Sequence, residues 1–327
     1  MNSEIPVFDL AEWRAADSGE RRRMARSLDA GLKTMAVFQL RGHGVPSTLA
    51  DELRAGGRSF FRLPVEEKNK YQVGRPYDNG WRGLGAHHAT ALEGAAGAPD
   101  LHEVFHIGPE LKTGRQEFDA LYYPANKWPP NLPEFKSAAD RYIECMLALT
   151  RDLLTVLAQA LGVADDFFVA QSQRATWTQN VQWYPSLRTV GKIEEGQLRV
   201  GPHSDFGTIA ILDRQPGVGG LQVWHPTQGW LTPPYDPESL TIIIGDLMEV
   251  WTDGRWSALR HRVQAPSAQV PEEDLTSLIF FYETDPDTVV TPLPPPIGGG
   301  RSMEPIVAGE SILKKVGITL GMEAPVK

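Results

Sequence analysis

The stretch "GPHSDFGTIAIL", residues 201–212, places a histidine and an aspartate two apart, ahead of an alternating apolar run. Side chains at i and i+2 of a strand project from one face. His203 and Asp205 are therefore expected to project together, with Ser204 turned away. An imidazole beside a carboxylate can hold a metal ion, but the same pair can also form the polar end of a surface strand. A third ligand decides between these readings, and the chain offers eight histidines. His43 sits in the glycine-flanked turn "RGHGV", and the adjacent His87 and His88 would face opposite sides of a strand. His102 and His106 are four apart in "LHEVFHIG". They would share a face of a helix, though the segment reads equally well as a strand, and His106 is a candidate substrate contact. His225 precedes a turn in "LQVWHPTQGW" and reads as exposed. His261 differs, because it follows the hairpin-like "WTDGRWSALR" and opens "HRVQAP", 56 residues after Asp205 (261 − 205). In a jelly roll, a strand at that distance can return beside the H-x-D. Two imidazoles and one carboxylate with the other positions open suit non-haem Fe(II) and dioxygen. Zinc more often takes a closed tetrahedral set, or three ligands and a water.

The elements that must position these residues fall into two textures. Residues 5–9, "IPVFD", read as a strand, and residues 19–35 read as a helix with Met24, Leu28 and Leu32 on one face. "AVFQLRGHGV" reads as a second strand, "PSTLADELRAGGRSFFRLP" as a helix capped by Ser or Thr, and "PVEEKNKY" as a helix opened by Pro. "NLPEFKSAADRYIECMLALTRDLLTVLAQALG" holds a long amphipathic helix that Gly162 should stop. From residue 176 short β-rich runs follow one another, "SLTIIIGDLMEVWT" among them, at roughly 8–12-residue spacing, the pattern of an antiparallel sandwich or barrel. The chain is thus expected to be mainly β with α, an antiparallel sandwich or barrel with an N-terminal α/β region and a long supporting helix. Two segments are expected, 1–125 and 126–327.

Composition narrows the function classes. A chain of 327 residues, 41% hydrophobic and 22% charged, is ordinary for a soluble globular protein. A net charge of −9 argues against a nucleic-acid partner, whose phosphates require a basic surface. No stretch approaches the roughly 18 apolar residues of a membrane span. The start "MNSEIPVFDLAEW" lacks a basic segment followed by an apolar one, and the single cysteine, Cys145, reads as helix packing. A cytoplasmic protein with no nucleic-acid or membrane partner is the expectation. The oligomeric state is not legible.

Five separated motifs resemble, in order, the iron(II)- and 2-oxoglutarate-dependent dioxygenases of the isopenicillin N synthase-like group. They are "IPVFDL", "AVFQLRGHGVP" with "FFRLPVEEKNKY", "QWYP", "HSDFGTIAILDRQPGVGGLQVW" and "SLTIIIGDLMEVWTDGRWSALRHRV". The resemblance covers nearly the whole chain and implies that its β-rich part is a double-stranded β-helix (jelly roll) core. It implies Fe(II) held by His203, Asp205 and His261, and 2-oxoglutarate contacted by Tyr184 of "QWYP". It also implies O2 as oxidant, with 2-oxoglutarate oxidised to succinate and CO2 as a C–H bond of a small molecule is hydroxylated, desaturated or cyclised. The family then carries R-x-S, whose arginine pairs with the distal carboxylate of 2-oxoglutarate. Here "DLTSLIFFYE" retains Ser277 but places Leu275 at the arginine position. Leucine cannot form a bidentate guanidinium–carboxylate pair. Arg188, Lys192, Arg199 and Arg214 lie near the β-core in sequence. Arg199, four residues before His203, is the first choice as a substitute and Arg188 the second. Without a substitute, 2-oxoglutarate would bind weakly or in another way, or would not be used, as in an oxidase drawing all electrons from its substrate; a non-catalytic jelly-roll binding protein is the further alternative. Trp183, Phe206 and Phe281 are candidate walls of a substrate pocket. Residues 75–110 and the segment beyond 300 are expected to shape its entrance, with "HHATALEG" as a mobile part.

Overall fold

The computed structural model describes residues 5–94, 97–218 and 220–322. Twelve strands build two sheets: β1 (Val7–Asp9), β2 (Val37–Arg41), β3 (Trp81–Arg82), β4 (Glu103–Ile107), β5 (Trp177–Tyr184), β6 (Val200–His203), β7 (Ile209–Asp213), β8 (Leu221–His225), β9 (Gly229–Leu231), β10 (Leu240–Ile244), β11 (His261–Val263) and β12 (Leu275–Tyr282). The major sheet runs β1-β2-β10-β7-β12-β5-β4-β3 and the minor sheet β6-β11-β8-β9. Pairing is antiparallel except between β1 and β2. This is the double-stranded β-helix that the family resemblance implies, extended by N-terminal strands at both ends of the major sheet.

Period-two alternation assigns the two faces of the major sheet. Val181 and Trp183 of β5 point outward: Gly57 of the helix Ser47–Phe61 comes so close that a Cβ there would lie 2.4 Å from Val181 Cγ1. Phe105 of β4 points the same way, into a cluster with Phe60, Trp128 and Phe135. The 29-residue helix Pro133–Leu161 packs on the helices Ser47–Phe61 and Ser18–Leu32, and Gly162 stops it at φ +76°. Alternate residues of β4, β5 and β12 face the minor sheet, and the polar site lies there.

Three local expectations are corrected. The helix Ser47–Phe61 starts after Pro46 without a side-chain cap, so neither Ser47 nor Thr48 caps it. Within "GDLMEVWTDG", Asp246–Trp251 is a short helix; four of its six residues are buried apolar side chains, and such a run does not distinguish strand from helix. His225 is buried, its ring accepting from Thr227 N at 3.3 Å.

A candidate metal centre between two cavities

Strand β11 returns beside β6 so that His261 and His203 are direct register partners, with ring centroids 4.2 Å apart. Asp205 lies just past the end of β6, in the loop to β7, and that loop is held from outside. Asp246 N donates to Asp205 O at 2.8 Å, and Ser204 Oγ donates to Asp246 Oδ1 at 2.8 Å. Asp205 Oδ1 lies 3.8 Å from His203 Nε2 and 3.6 Å from His261 Nε2. One ligand atom from each of the three residues falls within 4.8 Å of the others.

The tautomers favour a metal. His203 Nδ1 donates to Gly201 O at 2.8 Å and His261 Nδ1 to Leu259 O at 3.0 Å. Each Nε2 is left with its lone pair, facing Asp205. Burial pushes both imidazoles down to about 4, His261 adding to the effect at His203, and pushes Asp205 up to about 6. At neutral pH the set is two neutral imidazoles and one carboxylate. Asp205 Oδ2 is buried without a hydrogen-bond partner. A buried carboxylate oxygen in that state is costly unless a cation sits on it. The donor set therefore fits a divalent ion with borderline nitrogen and hard oxygen ligands.

Two cavities, of about 1000 and 1040 Å³ counting their open mouths, meet at His203. Asp205 lines the first and His261 the second, so the triad stands between them. Of the residues singled out from sequence, Phe206 and His106 line the first cavity, Tyr184 and Ser277 the second, and Phe281 both. Trp183 lines neither. Tyr184 faces inward, so its neighbour faces out, stacked on Phe61 at 5.8 Å and donating to Asp274 Oδ2 at 3.0 Å. Arg199 is fully buried but lies outside both linings. It donates to Glu273 Oε1 at 3.2 Å and Glu273 O at 3.0 Å, and its guanidinium lies 6.0 Å from the Tyr184 ring centroid. Arg188 is exposed, paired with Glu272.

The first cavity joins the candidate contact His106 and its neighbour His102 to groups that sequence reading missed, among them His87, Arg82, Tyr77 and Glu283. His87 stacks on His102 at 5.0 Å, and His106 Nδ1 donates to Asn180 Oδ1 at 2.7 Å. Burial holds all three imidazoles below their ordinary range. Arg82 reaches His106 Nε2 at 3.5 Å. Glu283 is pushed up to about 7 by burial, against hydrogen bonds from Thr176 and from Tyr77, the latter at 3.2 Å. Tyr77 itself sits at φ +58°, a strained conformation for a bulky residue. His102 and His106 share a strand face, which was a legible signal; Glu283 and Tyr77 carry none in sequence. In the segment 87–94, His88 N donates to Thr319 O at 2.8 Å and Ala89 N to Asp100 Oδ2 at 3.0 Å. The C-terminal helix Ala308–Thr319, from the region beyond 300, adds Ile312, Val316 and Thr319 to the wall.

Comparison with known proteins agrees with this geometry. Residues 178–284 match the profile of the 2OG-Fe(II) oxygenase superfamily. Residues 5–131 match that of the non-haem dioxygenase in morphine synthesis N-terminal family. The chain is 52% identical over 315 residues to validamycin A dioxygenase of Streptomyces hygroscopicus subsp. limoneus, covering 96% of this chain and 86% of that protein. It is 33% identical over 264 residues to a 2-oxoglutarate-dependent dioxygenase of Trichoderma harzianum, covering 79% of each. The fold is that of a full-length Neurospora crassa protein whose crystal structure holds alpha-KG and thymine, with a TM-score of 0.83 at 23% identity, covering 97% of this chain and 98% of that one. The Trichoderma harzianum relative is by name a 2-oxoglutarate-dependent dioxygenase, and together with the superfamily match it supports 2-oxoglutarate as co-substrate over the readings as a substrate-driven oxidase or a non-catalytic binding protein. This chain is an oxidoreductase of the Fe(II)- and 2-oxoglutarate-dependent oxygenase superfamily, a jelly-roll enzyme acting with O2 on a small molecule.

Proposed function

We propose that His203, Asp205 and His261 hold the iron, that the cavity on the His261 side takes 2-oxoglutarate against Tyr184 and Ser277, and that the cavity on the Asp205 side takes the substrate. The carrying observation is the triad itself: two Nε2 lone pairs and an orphaned carboxylate oxygen converge where the two cavities meet. Iron(II), when bound, supplies the centre at which O2 is reduced as 2-oxoglutarate is oxidatively decarboxylated. Gly201 O and Leu259 O fix both imidazole tautomers. Phe281 and Val200 line both cavities beside His203 and help keep water from the reacting atoms.

The substrate cavity presents Asn180, Gln182, Thr178, three neutral imidazoles and Glu283, a lining suited to a polar molecule with several hydrogen-bonding groups. The 52% identity with validamycin A dioxygenase over nearly the full chain supports validamycin A, or a close relative of it, as substrate. Hydroxylation, desaturation and ring closure all begin with C–H oxidation; hydroxylation adds one oxygen, whereas desaturation and ring closure each remove two hydrogens and so differ from each other in product structure, not in mass. The order of the five motifs supports placement in the isopenicillin N synthase-like group, and the single cysteine supports a cytoplasmic setting. The test is succinate formation from 2-oxoglutarate with Fe(II), ascorbate and air, with and without validamycin A. Stimulated turnover and a product changed in mass by one oxygen or two hydrogens are expected. Turnover that validamycin A leaves at its background rate would remove it as substrate.

A further inference from the structure

The cavity on the His261 side has a one-sided charge. Among the described residues that line it, Arg214 is the single Lys or Arg, and no Asp or Glu is present. Arg214 sits one residue past β7, whose register with β12 pairs Asp213 with Leu278. Continued by one residue, that register sets Arg214 against Ser277. On the other side of β12, Leu275 pairs with Tyr184 of β5. Tyr184, Ser277 and Arg214 thus come from three neighbouring strands at one end of the sheet. Leu275, where a cation was expected, is buried among them.

The guanidinium of Arg214 is held but not neutralised. Its Nε donates to Thr241 Oγ1 at 3.1 Å and one terminal nitrogen donates to Pro234 O at 2.9 Å. It forms no ion pair among the described residues, whereas Arg199 and Arg188 are paired with Glu273 and Glu272. A half-buried guanidinium always carries its charge, and in a cavity without a carboxylate it is a site for an anion.

We propose that Arg214 binds the carboxylate of 2-oxoglutarate remote from the metal, the cation having moved from β12 to the end of the adjacent β7. The proposal rests on the assignment of this cavity to 2-oxoglutarate and names the residue that makes the cavity selective for a dicarboxylate. Ser277 and Tyr184 complete the cradle with neutral hydroxyls, and the apolar side chain of Leu275 leaves room for the guanidinium.

The test is anaerobic titration of the Fe(II) enzyme with 2-oxoglutarate, followed through the charge-transfer absorption of the bound oxo acid. It is made on wild type, Arg214→Gln, Arg214→Lys and the double variant Arg214→Gln/Leu275→Arg. 2-Oxopentanoate, which lacks the distal carboxylate, is titrated in parallel. Losing a charge-assisted contact should weaken 2-oxoglutarate binding about 10- to 150-fold in Arg214→Gln, less in Arg214→Lys. Restoring arginine on β12 should recover part of the loss. Binding of 2-oxopentanoate should be the same in wild type and Arg214→Gln, a pattern that general damage to the site would not give. Unchanged 2-oxoglutarate affinity in Arg214→Gln, or equal weakening of both oxo acids, overturns the role of Arg214 alone. Absence of the absorption with 2-oxoglutarate in wild type overturns the assignment of the cavity as well.

Discussion

A carboxylate that is buried with one oxygen unpartnered, as Asp205 is, persists only where a cation or a proton compensates it. Asp205→Ala should therefore lose stoichiometric iron while the protein stays folded, read as metal content after dialysis beside a thermal melt. Retention of one iron per chain would show that the triad is misassigned. Glu283 makes a second, independent case. Burial raises it from 4.5 to about 7, so the folded state holds a proton that the unfolded state releases between those values. With more protons bound in the folded state, stability falls as pH rises through this window. Glu283→Gln, which mimics the protonated acid, should change stability little at pH 5. At pH 8 it should stabilise the protein by on the order of 2–3 kcal/mol in urea unfolding. A stabilisation that does not depend on pH would contradict a buried proton at this site.

The elements act on the site through close approaches. At Gly245, between β10 and the helix Asp246–Trp251, a Cβ would lie 2.3 Å from Gly207 O and 3.0 Å from Asp205 O. Backbone atoms cannot yield as a flexible side chain does, so Gly245→Ala must push the 205–207 loop away from the two histidines. Iron affinity is expected to fall at least tenfold, with a loss of stability of about 1–3 kcal/mol from overpacking. Equilibrium dialysis with Fe(II) and a melting curve separate the two effects, and unchanged iron affinity would mean that the loop is not what places Asp205. Strand alternation explains the misplacement of Trp183. Gln182 and Tyr184 line cavities, which leaves Trp183 on the helix side against Phe61. The quoted "QWY" does not say which of its aromatics turns inward.

At the scale of the molecule, the two cavities draw on different parts of the chain. The C-terminal helix Ala308–Thr319 contributes Ile312, Val316 and Thr319 to the cavity on the Asp205 side and nothing to that on the His261 side. Removing residues 304–327 should leave 2-oxoglutarate affinity within about twofold while raising the KM for substrate by at least tenfold. It should also raise the share of 2-oxoglutarate consumed without product. Anaerobic titration and the ratio of succinate to product measure these, and a parallel loss of 2-oxoglutarate binding would refute separate access. No helix among the described residues is long and apolar enough to cross a membrane.

What the sequence determined by itself was local or periodic. His203 and Asp205 are two residues apart, strand spacing from residue 176 pointed to a β-fold, and His261 was selected because its strand could return beside the H-x-D, which the register of β11 with β6 then shows. The departure at Leu275 was legible for the same reason, because it lies within a short motif. The tertiary structure decided which cation faces the cavity. Arg199 was the nearer in sequence to His203, but Glu273, 74 residues away, pairs with it, and β12 brings Ser277 beside the end of β7 where Arg214 stands. It also decided the cluster of His87, His102, His106 and Glu283, whose members come from three separate segments. Burial, ion pairing and strand register depend on partners far along the chain, and one-dimensional spacing does not encode them.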